Sequence, residues 1–349
     1  MRFIAEPIGL DLIHSFQIAR SSDTKKQNVL VSLTDSGMVG VGEAAPSAYY
    51  GESQSGVVDA LRPAYEILSE DPLNMERLDR KICATVPNSA AARAALDIAL
   101  HDLVAQKLRI PLYRYFGLHS DDTPLTSFTI GIDSLDIIRR KTREASQYPI
   151  LKVKLGAGND LDIVKTIRLE SDAVIRIDAN AGWTVPQATA LIPKLADLGV
   201  ELIEQPLPAE DYDGLRRLRI NSPLPIFADE SVKTAADVPR LAGCVDGVNI
   251  KLMKTGGLRE ALRLIHCARA HDMQVMLGCM IETSVAVTAA AHLSPLADYA
   301  DLDGNLLIAN DPYIGVGVED GKLVLPDSPG LGIREADDRA QCTRPGEEL

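Results

Sequence analysis

LKVKL (residues 151–155), VIRIDAN (174–180), ELIEQP (201–206), IFADES (226–231) and VNIKLMK (248–254) follow one another through the middle of the chain. Each is a short apolar run that carries or ends in a charged residue. Lys154, Asp178, Glu204, Asp229 and Lys251 stand 24, 26, 25 and 22 residues apart. A charge at the end of a β-branched run costs burial energy unless it is paired or bound to a metal. Five of them at nearly constant spacing describe a row of strand ends that face one shared site.

The same rhythm extends both ways. TSFTIGI (126–132) precedes a helical stretch at 134–146, and QVMLGCM (274–280) is followed by SVAVTAAAHLSPL; YADLDG (299–304) supplies one more short strand. Alternating βα units with right-handed crossovers build an open doubly wound sheet or a closed barrel. Eight units favour an α/β fold of the (β/α)8 type, because a closed barrel brings the carboxyl ends of many strands into one ring. No GxGxxG or GxxxxGK[ST] follows a strand, so a phosphate cradle at one switch point is not indicated. Gly256-Gly257 reads as a loop and helix start.

The first part of the chain has another character. Residues 1–54 alternate apolar and polar, with a hairpin turning at Asp35-Ser36-Gly37. The polar segment from Arg20 to Gln27 reads as a loop, either a solvated connection or a lid. From Ser55 the period becomes helical: SGVVDALRPAYEIL, NMERLDRKICATV and the Ala-rich NSAAARAALDIALHDLVAQKL, which opens on an Asn or Ser cap. Asp97 and Asp102 within the last read as hydrophilic or capping partners. The expected organisation is an α+β capping domain over 1–122, a barrel over 123–318, and a segment over 319–349 that returns to the capping domain through a hairpin at Asp320-Gly321, with a partly disordered polar tail.

Composition bounds the function. The 349 residues carry a formal charge of −13, which argues against nucleic acid and anionic membrane as partners. No apolar run approaches the roughly 18–20 residues that span a bilayer, and Glu6, Pro7 and Asp11 break the N-terminus as a signal peptide. Five cysteines without CxxC or CxxH spacing fit a thiol-reducing cytoplasm.

Asp178, Glu204 and Asp229 come from three consecutive strands. Any one alone is an ordinary strand-end acid, but three converging carboxylates repel and raise one another's pKa. A hard divalent cation removes that conflict, and an all-oxygen shell with open positions suits one Mg2+. Lys152 and Lys154, two apart, share a strand face, and Lys251 lies roughly opposite with the acids between. Lysine is a poor base at its reference pKa of about 10.4, and a nearby Mg2+ and a second ammonium lower it. An amine on each face of a metal-held carboxylate substrate can remove the α-proton on one side and return it on the other, with Lys152 and the metal stabilising the enediolate.

KVK (152–154), DANAGW (178–183), EQP (204–206), ADES (228–231) and NIKLMKTGG (249–257) resemble the enolase superfamily, muconate-lactonizing subgroup, whose sites pair such a base with Mg2+. The likeness covers essentially the whole chain and implies a modified (β/α)7β barrel. It also implies Asp178, Glu204 and Asp229 as Mg2+ ligands and Lys154 and Lys251 as the acid/base pair. Within the subgroup the chain is similar to dipeptide epimerases of the L-Ala-D/L-Glu type, whose activity belongs to the metabolism of peptidoglycan peptides. The discriminating piece is Asp301-Leu302-Asp303-Gly304, whose two carboxylates would bind the ammonium of a dipeptide. LGCMIETS (277–284) and SFTIGI match as well, so Thr129, Cys279 and Ile281 resemble dipeptide-contacting positions. In the likeness, an arginine in the loop matching Ser21 to Gln27 recognises the substrate's glutamate. Here Arg20 sits early, Ser21 or Asp23 takes the key position, and Lys25 or Lys26 could restore a glutamate site, so a cationic or hydrophobic second residue stays open beside glutamate. An o-succinylbenzoate synthase or cycloisomerase and a non-catalytic barrel are the alternatives. The likeness also implies a homo-oligomer.

Overall fold

The computed structural model describes residues 1–64 and 70–336. The end of the first helical stretch, at 65–68, and the polar tail beyond 336 lie outside the described residues.

Three antiparallel strands open the chain, β1 (Arg2–Ile18), β2 (Ser21–Asp35) and β3 (Met38–Ala44). The β2–β3 turn closes with Asp35 opposite Met38, and Ser36 and Gly37 take φ of 51° and 82°, the left-handed pair that a two-residue hairpin requires. The Arg20–Gln27 segment is not a loop. Ser21 to Gln27 are the first half of β2, paired with β1 from Ile18↔Ser21 to Gly9↔Gln27. The segment lacks an apolar alternation because most of it is exposed, and pairing with β1 rather than burial makes it a strand.

On this sheet lies the Ala-rich helix Ala90–Leu108, capped by the Ser89 hydroxyl, which accepts from the Ala92 N–H at 3.2 Å. The close approach depends on Gly40 and Gly42 of β3, where a Cβ would stand 2.1 Å from Ala99 O and 2.0 Å from Ala95 O. Helices Gln54–Leu61 and Met75–Thr85 complete this layer.

Eight parallel strands follow in sequential order: β4 (Phe128–Ile130), β5 (Ile150–Lys154), β6 (Val174–Asp178), β7 (Val200–Glu204), β8 (Ile226–Ala228), β9 (Gly247–Lys251), β10 (Gln274–Gly278) and β11 (Tyr299–Asp301). A parallel bridge between Thr126 and Ala300, with the Ser127 N–H donating to Ala300 O at 3.1 Å, joins the ends into a nearly closed barrel. Helices follow β4 to β10, and β11 leads into a 3-10 turn, Gly304–Leu307, which gives the (β/α)7β architecture. Leu202, Phe227 and Met276 fill the interior towards the amino ends of the strands, so the charged strand ends sit on an apolar floor.

The cap and the barrel are tied by buried polar groups. Glu43 of β3 accepts from the Thr283 N–H and hydroxyl and the Ala286 N–H at 3.0, 2.6 and 3.3 Å, which caps helix Ser284–Ala291 from the other layer. Asp97 accepts from the Leu258 N–H at 2.5 Å, at the start of helix Leu258–Ala270 that Gly257 opens with φ 123°. Asp102 accepts from the Val41 and Leu331 N–H groups at 2.8 and 2.7 Å. The sequence suggested partners within their own helix, but Asp97 caps another helix and Asp102 ties β3 to the C-terminal segment. After the hairpin of β12 (Gly317–Glu319) and β13 (Lys322–Val324), the chain meets the cap again, where the Gly330 N–H donates to Ile110 O at 3.0 Å and Tyr113 Oη to Asp327 at 2.6 Å.

Candidate active site

Parallel pairing sets the level of each side chain. Lys154 is in register with Asp178, and Asp178 with Glu204. Asp229 lies two residues beyond Phe227, the partner of Glu204. Gly278 of β10 is in register with both Lys251 and Asp301. Residues two apart on a strand share a face, so Lys152 and Lys154 both point inward.

The three acids meet. Asp178, Glu204 and Asp229 each offer an oxygen, and these atoms lie within 4.8 Å of one another. Four ammonium groups surround them. Lys154 Nζ is 2.6 Å from Asp178 Oδ2, and Lys251 Nζ is 2.8 Å from Asp229 Oδ2. Lys152 Nζ lies 2.7 Å from Glu204 Oε2, 3.3 Å from Asp178 Oδ2 and 2.6 Å from Asp301 Oδ2. Lys254, whose role the pattern of the sequence did not expose, donates to Asp229 O at 2.6 Å, to Asn249 O at 2.9 Å and to Asp229 Oδ1.

The electrostatics follow from this packing. Burial alone would raise Asp178, but Lys154 and Lys152 outweigh it and hold the carboxyl well below its usual range. Asp229 is likewise held down by Lys251 and Lys254 against its burial. Glu204 is pushed up to about 8 by burial and by the charge of Asp178. Lys251 is held above the ordinary lysine range because Asp229 outweighs its burial. A ring of hard carboxylate oxygens, one still short of compensating charge, fits a divalent cation such as Mg2+. Asp178, Glu204 and Asp229 are the residues that would hold it.

The two acids of β11 have different partners. Asp301 accepts from Ser127 Oγ at 2.7 Å and from Lys152 at 2.6 Å. Asp303 accepts the Thr129 N–H at 2.6 Å. It is pushed up to about 7 by burial and by the charge of Asp301. Cys279 donates to Asp301 O at 3.3 Å, and burial with the Asp303 charge raises its thiol. Thr129, Cys279 and Ile281 all border the same cavity of about 420 Å3, with Lys154, Lys251, Asp229, Asp301 and Asp303 on its floor.

The roof comes from β1, β2 and the segment after β3. Arg20 does not present a free guanidinium there: it donates to Asn180 O at 2.8 Å and Glu230 Oε1 at 2.5 Å and lies over the Tyr49 ring at 4.1 Å. Asp23 and Lys26 both line the roof and pair with each other at 2.7 Å. Lys25 turns away to Asp11 at 2.8 Å. Glu230, Asn249, Lys254 and Ser127 are the members of the site that spacing could not reveal, since each acts through a partner distant in sequence.

Comparison with known proteins agrees with this geometry. Residues 137–339 match the enolase C-terminal domain-like family, and residues 9–117 match the mandelate racemase/muconate lactonizing enzyme N-terminal domain. The chain is 45% identical over 335 residues to the L-Ala-D/L-Glu epimerase of Bacteroides thetaiotaomicron, covering 95% of this chain and 88% of that protein. A substrate-liganded L-Ala-D/L-Glu epimerase from Bacillus subtilis superposes with a TM-score of 0.92 at 31% identity, over 97% of this chain and 99% of that one. A dipeptide epimerase from Enterococcus faecalis, solved with Mg and L-Leu-L-Tyr, gives a TM-score of 0.89 at 34% identity, over 95% and 98%. The chain belongs to the mandelate racemase/muconate lactonizing enzyme family of the enolase superfamily, among relatives that are dipeptide epimerases.

Proposed function

We propose that this protein is a Mg2+-dependent isomerase that inverts the Cα of the second residue of L-Ala-X dipeptides, with L-Ala-L-Glu and L-Ala-D-Glu as its first pair of substrates. The observation that carries the reading is the placing of two lysines on strands that flank the acids. Lys154 on β5 and Lys251 on β9 each pair with a different member of the triad, with β6, β7 and β8 between them.

In this reading the dipeptide's carboxylate lies over Asp178, Glu204 and Asp229. Asp178, Glu204 and Asp229 would hold Mg2+, whose positive charge would stabilise the negative charge developing on the substrate carboxylate and would weaken the hold of Asp229 on the Lys251 ammonium. One neutral lysine removes the Cα proton, so that the C–H electron pair moves into the adjoining carbon–carbon bond. The other lysine, an ammonium, delivers its proton to the opposite face. One proton is taken and one given, and the configuration inverts. Lys152, buried among Glu204, Asp178 and Asp301, supplies a fixed positive charge to the enediolate. Asp303 and Asp301 receive the dipeptide's ammonium, and the side chain of the second residue points at the roof.

A second reading of the substrate rests on that roof. Because Arg20 is spent on Glu230 and Asn180, a glutamate would have to meet Lys26, which already pairs with Asp23. A self-neutralised roof also admits uncharged second residues. The reading includes a cytoplasmic homo-oligomer, which light scattering of the purified protein checks for size.

Incubation with Mg2+ and a panel of L-Ala-X dipeptides in D2O tests the reaction. Deuterium at the second Cα together with L-Ala-D-X is expected, and no exchange on any member refutes the reading. An Asp301→Ala variant that retained full activity on a substrate without an ammonium would point instead to an o-succinylbenzoate synthase or a cycloisomerase.

A further inference from the structure

Strands β1 and β2 pair without a break from Arg2↔Thr34 to Asp11↔Lys25, then resume at Phe16↔Asp23. Five steps on β1 match two on β2, so Leu12 to Ser15 have no partner on β2 and arch away from it. A bulge of this kind re-aims a strand instead of merely interrupting it. The arch is fixed to the barrel at both ends: Leu12 bridges Ile308, and the Ile132 N–H donates to Gln17 O at 2.9 Å.

Beneath the arch lies a second cavity of about 220 Å3. Phe128 and Tyr148 line it as a stacked pair, centroids 4.5 Å apart and planes within 10°. Leu12, Ile13 and Leu306 add apolar walls. Its charged neighbours are already satisfied. Lys141 Nζ bonds Asp133 at 3.2 Å and Ser15 O at 3.4 Å, and Glu144 pairs with His14 at 3.0 Å. An occupant of this space is therefore apolar.

The cavity adjoins the reaction site. Phe16, Thr129 and Leu307 line both spaces, and it is the Thr129 N–H that holds Asp303. We propose that this arch cavity receives the side chain of the substrate's first residue, so that dipeptides opening with an aliphatic or aromatic residue are turned over as well as L-Ala-X. The inference rests on the dipeptide-epimerase reading. An ammonium between Asp301 and Asp303 puts the first Cα beside Thr129. In an extended dipeptide, successive side chains point to opposite sides. With the second directed at the Asp23–Lys26 roof, the first is directed over Thr129 and under the arch, where an alanine methyl leaves most of the space unfilled.

The test holds the second residue at the best member of the L-Ala-X panel and compares L-Ala, L-Leu and L-Phe as first residues, in kcat/KM with saturating Mg2+. The expected result is that L-Leu and L-Phe dipeptides equal or exceed the L-Ala one. Ile13→Trp and Gln147→Trp fill the cavity from two different walls, and each is expected to lower the Leu-to-Ala ratio of kcat/KM at least tenfold. Two variants guard against a folding defect in either, and a ratio is insensitive to loss of active protein. Turnover of L-Ala-X with L-Leu and L-Phe dipeptides more than about a hundredfold slower overturns the inference and leaves the epimerase reading standing, as does a ratio unmoved in both variants. No exchange with any first residue overturns both.

Discussion

Asp303→Asn separates the binding of the substrate from its chemistry. Both oxygens of Asp301 are occupied, one by Ser127 and one by Lys152, whereas Asp303 accepts the Thr129 N–H at one oxygen and meets only the weakly donating Cys279 thiol, 4.0 Å away, at the other. Asparagine preserves the acceptor for Thr129 and removes the charge that an ammonium needs. A hydrogen bond to a charged group contributes about 1.5–3 kcal/mol, and each 1.36 kcal/mol is tenfold in rate or binding, so kcat/KM should fall roughly 10- to 150-fold. The ammonium is held alike before and during proton transfer, so the loss belongs in KM, with kcat changed by less than about threefold. The pH profile supplies an independent sign. In the free enzyme burial and Asp301 push the Asp303 carboxyl up to about 7. Below that pH it is protonated and binds an ammonium poorly, so kcat/KM falls as pH drops through about 7. Bound substrate favours the ionised form, so kcat lacks that limb. The assay is steady-state epimerisation from pH 5.5 to 8.5 at saturating Mg2+. A variant that lost kcat at unchanged KM, or that kept the acid limb near pH 7, would refute the reasoning.

The other predictions concern the lysines, the metal and the fold. Lys154→Gln and Lys251→Gln should each slow epimerisation by about 10^2–10^4, the usual contribution of a positioned acid or base; each should still exchange the Cα proton of one epimer, a different one in each variant, and loss of both exchanges in both variants contradicts the opposite-face assignment. Removing Mg2+ with a chelator should abolish exchange, and Mg2+ at a hundred times its Kd should stabilise the protein by about 2.7 kcal/mol, read as a rise in Tm that Asp178→Asn diminishes. His292 is buried against Leu331 O at 3.0 Å, and burial pushes its pKa down to about 4. The unfolded histidine takes its proton near pH 6.5, so the contribution is constant above that pH, is lost as pH falls from about 6.5 to 4, and levels off below, a total of about 3 kcal/mol. Urea unfolding of His292→Gln should show a shallower loss across that window, and an unchanged slope would remove His292 as its source.

The barrel and the core of the site were legible because they follow from short-range rules. A parallel strand alternates its faces, so Lys152 and Lys154 had to point the same way. A βα unit repeats at nearly constant length, so Asp178, Glu204 and Asp229 had to arrive at neighbouring strand ends. The segment from Arg20 to Gln27 was not legible, because its strand character comes from pairing with β1, and a polar strand over a site mouth carries no apolar alternation. The partners of buried polar groups were hidden for a related reason. Glu43 meets Thr283, Asp97 meets Leu258, and Arg20 meets Glu230, each across well over a hundred residues of chain. A hydrogen bond is satisfied by whatever donor the fold delivers, and local sequence does not record which one. The residues alone therefore determined a ring of lysines and acids suited to a divalent cation and to moving an α-proton. Only the tertiary structure decided that Arg20 acts as a brace, that Asp301 is shared with Lys152 while one oxygen of Asp303 meets only the Cys279 thiol, and that the four residues of β1 without a partner on β2 open a second cavity beside the first.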